Sequence, residues 1–319
     1  MIGFPPHSDS SMRLSRMLKT TGLAIAIECI VAPSALAEDV LHERYLEIQR
    51  QYEKDHPDKK PLMATPTAPT RLFPNALRAE PGLVVSGGMA TPIAHLMTLA
   101  NDGNRNNEAI AAGEALIANS NASRYDLALV FRTLGYAHLD EGDTAKSVEC
   151  IQKSLDQDAL SNNDQYSLML QLARTQMAIG QPDAGLVTLA RVVTETRQDK
   201  PEYDGMRGRM NYMKKDYADA APALQSSIDE SEKPEPDERE MLLDSYFKLK
   251  QYDQAEKAGE DMLRARPGDK TVINNLAIVY RQAGHADKAM ALLDEAHRHG
   301  LLTATDDSGT PYVSYSDMK

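Results

Sequence analysis

The stretch VFRTLGYAHLDEGDTAKS, residues 130–147, sets Gly135 after a leucine inside an apolar run and places Gly142 seven residues later. Two readings compete for those glycines: a loop that cradles a phosphate, or joints between packed helices. A phosphate cradle needs a preceding strand and a G-x-G-x-x-G or G-K-S/T run. Neither occurs here. In the helical reading, Gly135 lacks a β-carbon where one helix approaches its partner closely, and Gly142 takes a left-handed turn where that helix ends.

Self-similarity decides between them. Aligned on itself, the chain yields six units beginning near residues 90, 128, 166, 201, 236 and 270, so the period settles toward 34. MLLDSYFKLKQYDQAEKAGEDMLRARP (241–267) and NNLAIVYRQAGHADKAMALLDEA (274–296) superpose without a gap, matching Leu242 with Leu276, Tyr246 with Tyr280, Ala255 with Ala289 and Met262 with Ala296. The second unit supplies Leu134, Gly135, Gly142 and Leu155; the third Leu172, Gly180 and Leu189; the fourth Gly208, Tyr217, Ala220 and Leu224. A period of this size with small residues at fixed places is the signature of stacked helix pairs, each burying a face against its neighbour.

Those residues resemble the tetratricopeptide repeat, a helix-turn-helix whose pattern includes Leu-Gly, Tyr, Ala and a closing Pro, here Pro267. The resemblance covers residues 90–303, although the pattern's Trp is missing throughout and the first unit keeps only Ile93, Leu96, Ala109 and Leu116. It implies an all-α fold, a right-handed superhelical α-solenoid of about six units. Four stretches resemble a narrower group, the periplasmic tetratricopeptide proteins associated with the TonB, ExbB and ExbD energy-transduction system. They are LALVFRTLGYAHLDEGDTAKSVECIQKSLDQDAL (127–160), GMRGRMNYMKKDYADAAPALQSSIDESEKP (205–234), LLDSYFKLKQYDQAEK (242–257) and LLDEAHRHGLLT (292–303). That resemblance implies a noncatalytic exported adaptor linked to TonB-dependent uptake, with TonB or ExbD among its partners. The chain ends after TDDSGTPYVSYSDMK (305–319), where the group runs on into a further helical unit.

The family binds extended segments on a concave surface lined by the first helix of each unit. Carried onto this chain, the groove positions include Arg132, Tyr136, Arg174, Met177, Arg209, Tyr212, Asn274 and Arg281. Arginines interleaved with Tyr and Met suit a segment carrying carboxylates and apolar anchors, because guanidinium pairs bidentately and rings give rigid contact area. The competing reading makes the same residues solvated or inter-repeat groups. The family's carboxylate clamp is not matched, since its lysine and asparagine positions are Ala94 and Thr98 in the first unit.

The remainder of the chain frames this array. With no Trp, 4 Phe and 5% aromatics, 319 residues are thinly supplied for one large core, and the alanine, leucine and charge content favours helices. Arg13, Arg16 and Lys19, an apolar run from Gly22 to Ala32 and Ala35-Leu36-Ala37 read as a signal peptide over 1–37, with the start at Met12 or Met17 and cleavage before Glu38. The run falls short of the ~20 residues of a membrane span, and Glu28 before Cys29 argues against a lipoprotein. Periplasmic localisation follows as an expectation. Leu41, Tyr45, Ile48 and Tyr52 share one stripe of an amphipathic helix over 38–56. Pro57, Pro61, Pro66, Pro69, Pro74 and Pro81, ending in Ser86-Gly87-Gly88, read as a flexible linker over 57–89, and 304–319 as a tail. A net charge of −12 opposes nucleic-acid backbones and anionic membranes. With Cys29 in the leader, Cys150 stands alone, so no internal disulfide holds the mature fold.

No catalytic, cofactor or metal residues are assigned. Ser245 and Lys248 fit S-x-x-K without the accompanying K-T-G or S-D-N runs. His285, His297 and His299 lack metal-site spacing, His138 reads as core, and Cys150 as a buried, inert thiol. Besides the TonB-linked adaptor, two alternatives remain. One is a coordinator of envelope and peptidoglycan assembly working with Tol-Pal, which an N-terminal coiled coil would favour. The other is a peptidoglycan or peptide hydrolase on a helical scaffold, for which no acid, base or nucleophile set exists. Oligomeric state stays open.

Overall fold

A computed structural model describes residues 71–302; the leader, the amphipathic helix over 38–56 and the tail lie outside the described residues. Among the described residues there are twelve α-helices and no strand, in accord with the all-α reading. They divide into two compact units, one reaching Gln198 and one beginning at Asp199.

The first unit contains α1 (Ala90–Asn101), α2 (Asn106–Ile117), α3 (Arg124–Asp140), α4 (Thr144–Asp156), α5 (Asn162–Ala178) and α6 (Pro182–Thr196). Consecutive helices pack on one another and α1 also packs on α3, so the first members of the first two pairs are neighbours. The first helices α3 and α5 begin four residues ahead of the unit starts read from the sequence, because Ser123 and Ser161 cap them. Ser123 accepts from the Asp126 amide while Asp126 reaches back to the Ser123 amide, which closes a capping box. Both helices are buried on nearly every side, with Leu129, Leu134, Leu168, Met169 and Leu172 inaccessible or almost so. The second helix α4 buries one face only, through Ser147, Ile151, Ser154 and Leu155. Each large apolar side chain buried this way contributes about 1.5–3 kcal/mol. Gly135 admits the close approach its position implies: a β-carbon there would lie 2.7 Å from Ile151 Cγ1.

The second unit contains α7 (Pro201–Met213), α8 (Tyr217–Glu230), α9 (Glu238–Lys248), α10 (Tyr252–Ala265), α11 (Lys270–Gln282) and α12 (Ala286–Arg298). It repeats the plan, with α7 packed on α9 as well as on α8. Gly208 lies so close to α8 that a β-carbon would meet Leu224 Cγ at 2.6 Å and the Leu224 backbone nitrogen at 2.9 Å. Ala255 and Ala289 are fully buried small residues on second helices, and Met262 and Ala296 fill equivalent places in successive clusters.

One turn recurs in both units. Gly142, Gly180 and Gly284 adopt positive φ after first helices, and the next amide reaches back to close the end, as when Asp143 N–H bonds His138 O and His285 N–H bonds Tyr280 O. After α7 and α9 the same place is held by Lys215 and Lys250, at φ 62° and 59°. The hydrogen-bond pattern is unchanged there, with Asp216 bonded to Asn211 and Gln251 to Tyr246. Closing the turn thus does not depend on glycine, although glycine adopts it with less strain.

Residues 71–89, which the composition reads as the end of the linker, have no helix or strand but are seated on the first unit. Phe73 is 6% exposed and its ring lies 5.3 Å from that of Tyr166. Arg78 Nε donates to Asp158 Oδ1 at 2.6 Å, and its Nη1 to Leu160 O and Asn162 Oδ1. Further along, Ser86 N–H donates to the buried carboxylate of Asp126 at the start of α3.

Candidate protein-docking site

The structure distributes the eight sequence-derived groove residues between the two units. In the first, Arg132 lies midway along α3, 3% exposed, with Nη1 2.6 Å from Asp164 Oδ1 on α5. Tyr136, one turn later, is half-buried; burial pushes its phenol up, with the fields of Arg132, Asp164 and Arg174 acting on it. Arg174 and Met177, three residues apart on α5, are both half-buried. Arg132, Asp164 and Arg174 therefore all act on one phenol, that of Tyr136, and Arg132 is paired with Asp164.

In the second unit, Arg209 of α7 places Nη2 3.1 Å from Asp237 Oδ2, at the start of α9. Tyr212, on the same helix, donates its hydroxyl to Asp244 of α9. Asn274 is half-buried and Arg281 exposed, two turns apart on α11.

A rule connects three of the eight. Arg132, Tyr212 and Arg209 each engage a carboxylate of the following first helix or its cap: Asp164, Asp244 and Asp237. Charge-assisted hydrogen bonds of this kind are stronger than neutral ones and fix the register of adjacent pairs. The sequence reading named the donors and missed these acids. A search for an aspartate about one repeat downstream of each donor would have found them. Tyr136, Arg174, Met177, Asn274 and Arg281 keep solvent-accessible surface on first helices.

The residues weighed for chemistry have ordinary structural places. Ser245 is fully buried and donates to Met241 O within its own helix. His138 is buried. Cys150 is half-buried where the sequence reading had it buried, and desolvation pushes its thiol up, which disfavours the thiolate. His285 Nδ1 lies 2.6 Å from Glu256, which also pairs with Lys288. Among the described residues no group of three or more His, Cys, Asp or Glu is placed to hold a metal ion. No described helix is long and apolar enough to cross a membrane. An open depression of 380 Å³ between α7 and α8 is lined by Asp204, Arg207, Asn211 and Ser226. There Asp204 is already bonded to Arg207 and Ser226.

Helix pairs tied by inter-repeat ion pairs, closed by one recurring turn and presenting polar and aromatic side chains on first helices define a repeat scaffold suited to protein–protein interaction. Residues 246–299, from the end of α9 through α12, match the tetratricopeptide repeat family. No protein of curated function matches the sequence. Among solved structures, a crystal structure of MamA protein is similar at 21% identity and a TM-score of 0.47, over 58% of this chain and 98% of that one. The crystal structure of the APC/C hetero-tetramer Cut9-Hcn1 is similar at 16% identity and a TM-score of 0.41, over 92% of this chain and 50% of that one.

Proposed function

We propose that this protein is an exported periplasmic adaptor that holds an extended segment of a partner protein against its first helices, in the service of TonB-dependent uptake. The observation that carries the docking surface is the cluster of Tyr136, Arg174 and Met177, a cation, a ring and an apolar chain retaining accessible surface on a strongly acidic protein. A segment with carboxylates and apolar anchors complements it: the guanidinium pairs with carboxylate, and the tyrosine and methionine supply contact area of low ordering cost. Asn274 and Arg281 offer a second polar set of the same character. The export signal supports the compartment, and the four family-like stretches support the uptake machinery as the partner.

The test is capture of purified TonB and ExbD periplasmic domains on the immobilised full-length protein, compared with the Arg174→Glu/Arg281→Glu variant. Binding to at least one domain is expected for the wild type, with a loss of about tenfold or more in the charge-reversed protein, about 1.4 kcal/mol. Capture that reversal leaves unchanged sinks the groove; absence of capture by the folded wild type sinks the uptake link.

A further inference from the structure

The way residues 71–80 sit on the first unit is that of a bound peptide. Four main-chain groups of this segment are read by the array. Leu72 N–H donates to Asn163 Oδ1 at 2.9 Å, and Leu72 C=O accepts from Gln198 Nε2 at 3.0 Å. Leu77 N–H donates to Glu195 O at 2.8 Å, and Arg78 C=O accepts from Asn162 Nδ2 at 3.0 Å. Main-chain reading of this kind holds any extended segment, and pockets for particular side chains then add the selectivity.

Those pockets are present. Phe73 stacks at a tilt on Tyr166, a residue with no accessible surface. The Arg78 guanidinium enters a fork made by Asp158, Leu160 O and Asn162, and Glu80 Oε1 accepts the Asn162 amide at 2.9 Å where α5 begins. A carboxylate at that point also meets the positive end of the helix dipole. The pattern read is an aromatic residue, an arginine five positions later and a carboxylate two beyond it.

The bound segment is nevertheless no part of the helical core. Its side chains Leu72 and Leu77 are 52% and 56% exposed, and it contributes no helix or strand. Pro74 and Pro81 bias it toward extended backbone, and Gly87 and Gly88 join it to α1 with open space around both. Three side-chain anchors, Phe73, Arg78 and Glu80, and a few main-chain bonds hold it, an arrangement that a competitor with the same anchors can replace.

We propose that the edge of the first unit where α5 begins and α6 ends is a docking site for an extended partner segment with this aromatic, arginine and carboxylate spacing, and that residues 71–80 occupy it in cis until such a segment displaces them. A tethered occupant acts at an effective concentration in the millimolar range, so the partner's segment competes against a large but finite suppression. The site is separate from the surface around Arg174 and does not rest on the groove reading.

The probe is a fluorescent peptide of residues 70–82, followed by anisotropy against the full chain. Wild-type protein is expected to bind it at least about tenfold more weakly than the Phe73→Ala/Arg78→Ala variant, in which the tethered segment has lost its ring and guanidinium anchors. Adding Asn162→Ala to that variant removes the binding, a peptide with alanine in place of its phenylalanine and arginine does not bind, and Arg174→Glu changes nothing. Equal binding by wild type and variant, or equal binding of the substituted peptide, overturns the proposal. Should the double variant fail to fold, hydrogen exchange of the wild type decides: the Leu72 and Leu77 amides must exchange faster as the peptide is added, and unchanged protection refutes the site. A wild-type dimer abolished by the double variant would assign the site to a second copy of this chain and overturn the partner reading.

Discussion

The buried pair of Arg132 and Asp164 makes an asymmetric prediction. Arg132 is 3% exposed and its Nε and Nη2 have no hydrogen-bond partner among the described residues, so Asp164 is the counter-charge that makes burial of this cation tolerable. Asp164 is 16% exposed and also bonds the Ser161 hydroxyl at 2.7 Å, so it retains a partner and some solvent without Arg132. Asp164→Ala therefore strands a buried charge, at about 3–5 kcal/mol, and loses part of the α5 cap, about 1 kcal/mol more. Arg132→Met leaves a carboxylate that water and Ser161 still serve, and substitutes an apolar chain of similar length in a buried place. Its cost is about 1–2 kcal/mol, that of an imperfectly paired polar group. In the double variant the stranded cation is gone, so it is expected to be more stable than Asp164→Ala alone by about 2 kcal/mol or more. Urea unfolding followed by helical circular dichroism, with midpoints compared at equal slope, measures all three. Additive losses in the double variant, or a loss below about 1 kcal/mol for Asp164→Ala, refute the argument that Arg132 is structurally buried.

Two further substitutions test the packing and titration of the second unit. Gly208→Ala sets a β-carbon against the Leu224 backbone as well as its side chain; overpacking of about 1–3 kcal/mol exceeds the gain in helix propensity of about 1 kcal/mol. A lower thermal midpoint is expected, and a midpoint equal to or above wild type contradicts the close approach. Glu238 is buried, and burial pushes its carboxyl above the ordinary range despite the Ser227 hydroxyl bonded to it and the nearby Arg209. The folded form therefore holds the proton to higher pH than the unfolded chain. Stability from this group is full at acid pH and falls as pH rises through the raised value. Glu238→Gln should flatten the dependence of the urea midpoint on pH between about 4 and 7, and a slope identical to wild type contradicts it.

Much of the architecture was legible because it is periodic. Gly142, Gly180 and Gly284 announced the helix ends, and Gly135, Ala255 and Ala289 the close contacts, since a missing or small side chain at a fixed spacing has one economical use. The same turn at Lys215 and Lys250 was not legible, because there the backbone conformation is imposed by neighbouring helices and the residue type carries no trace of it. Extra length at the start of α3 and α5 was missed because Ser123 and Ser161 lie outside the repeat pattern, although the three-residue spacing to Asp126 and Asp164 is itself a capping signal.

The candidate site divides along the same line. The repeat pattern and the family resemblance carried onto it were enough to place Arg132, Tyr136, Arg174, Arg209 and Tyr212 on first helices, where the structure has them. Which of them meet solvent and which meet a carboxylate of the next pair depended on residues about one repeat away, a distance over which periodicity has no information about side-chain direction. Residues 71–80 show this most fully. Their proline content denied them helix and strand, as composition required, but the ring of Tyr166, the amides of Asn162 and Asn163 and the end of α6 exist as one surface only after α5 and α6 have packed, and until then nothing marks Phe73 and Arg78 as anchors.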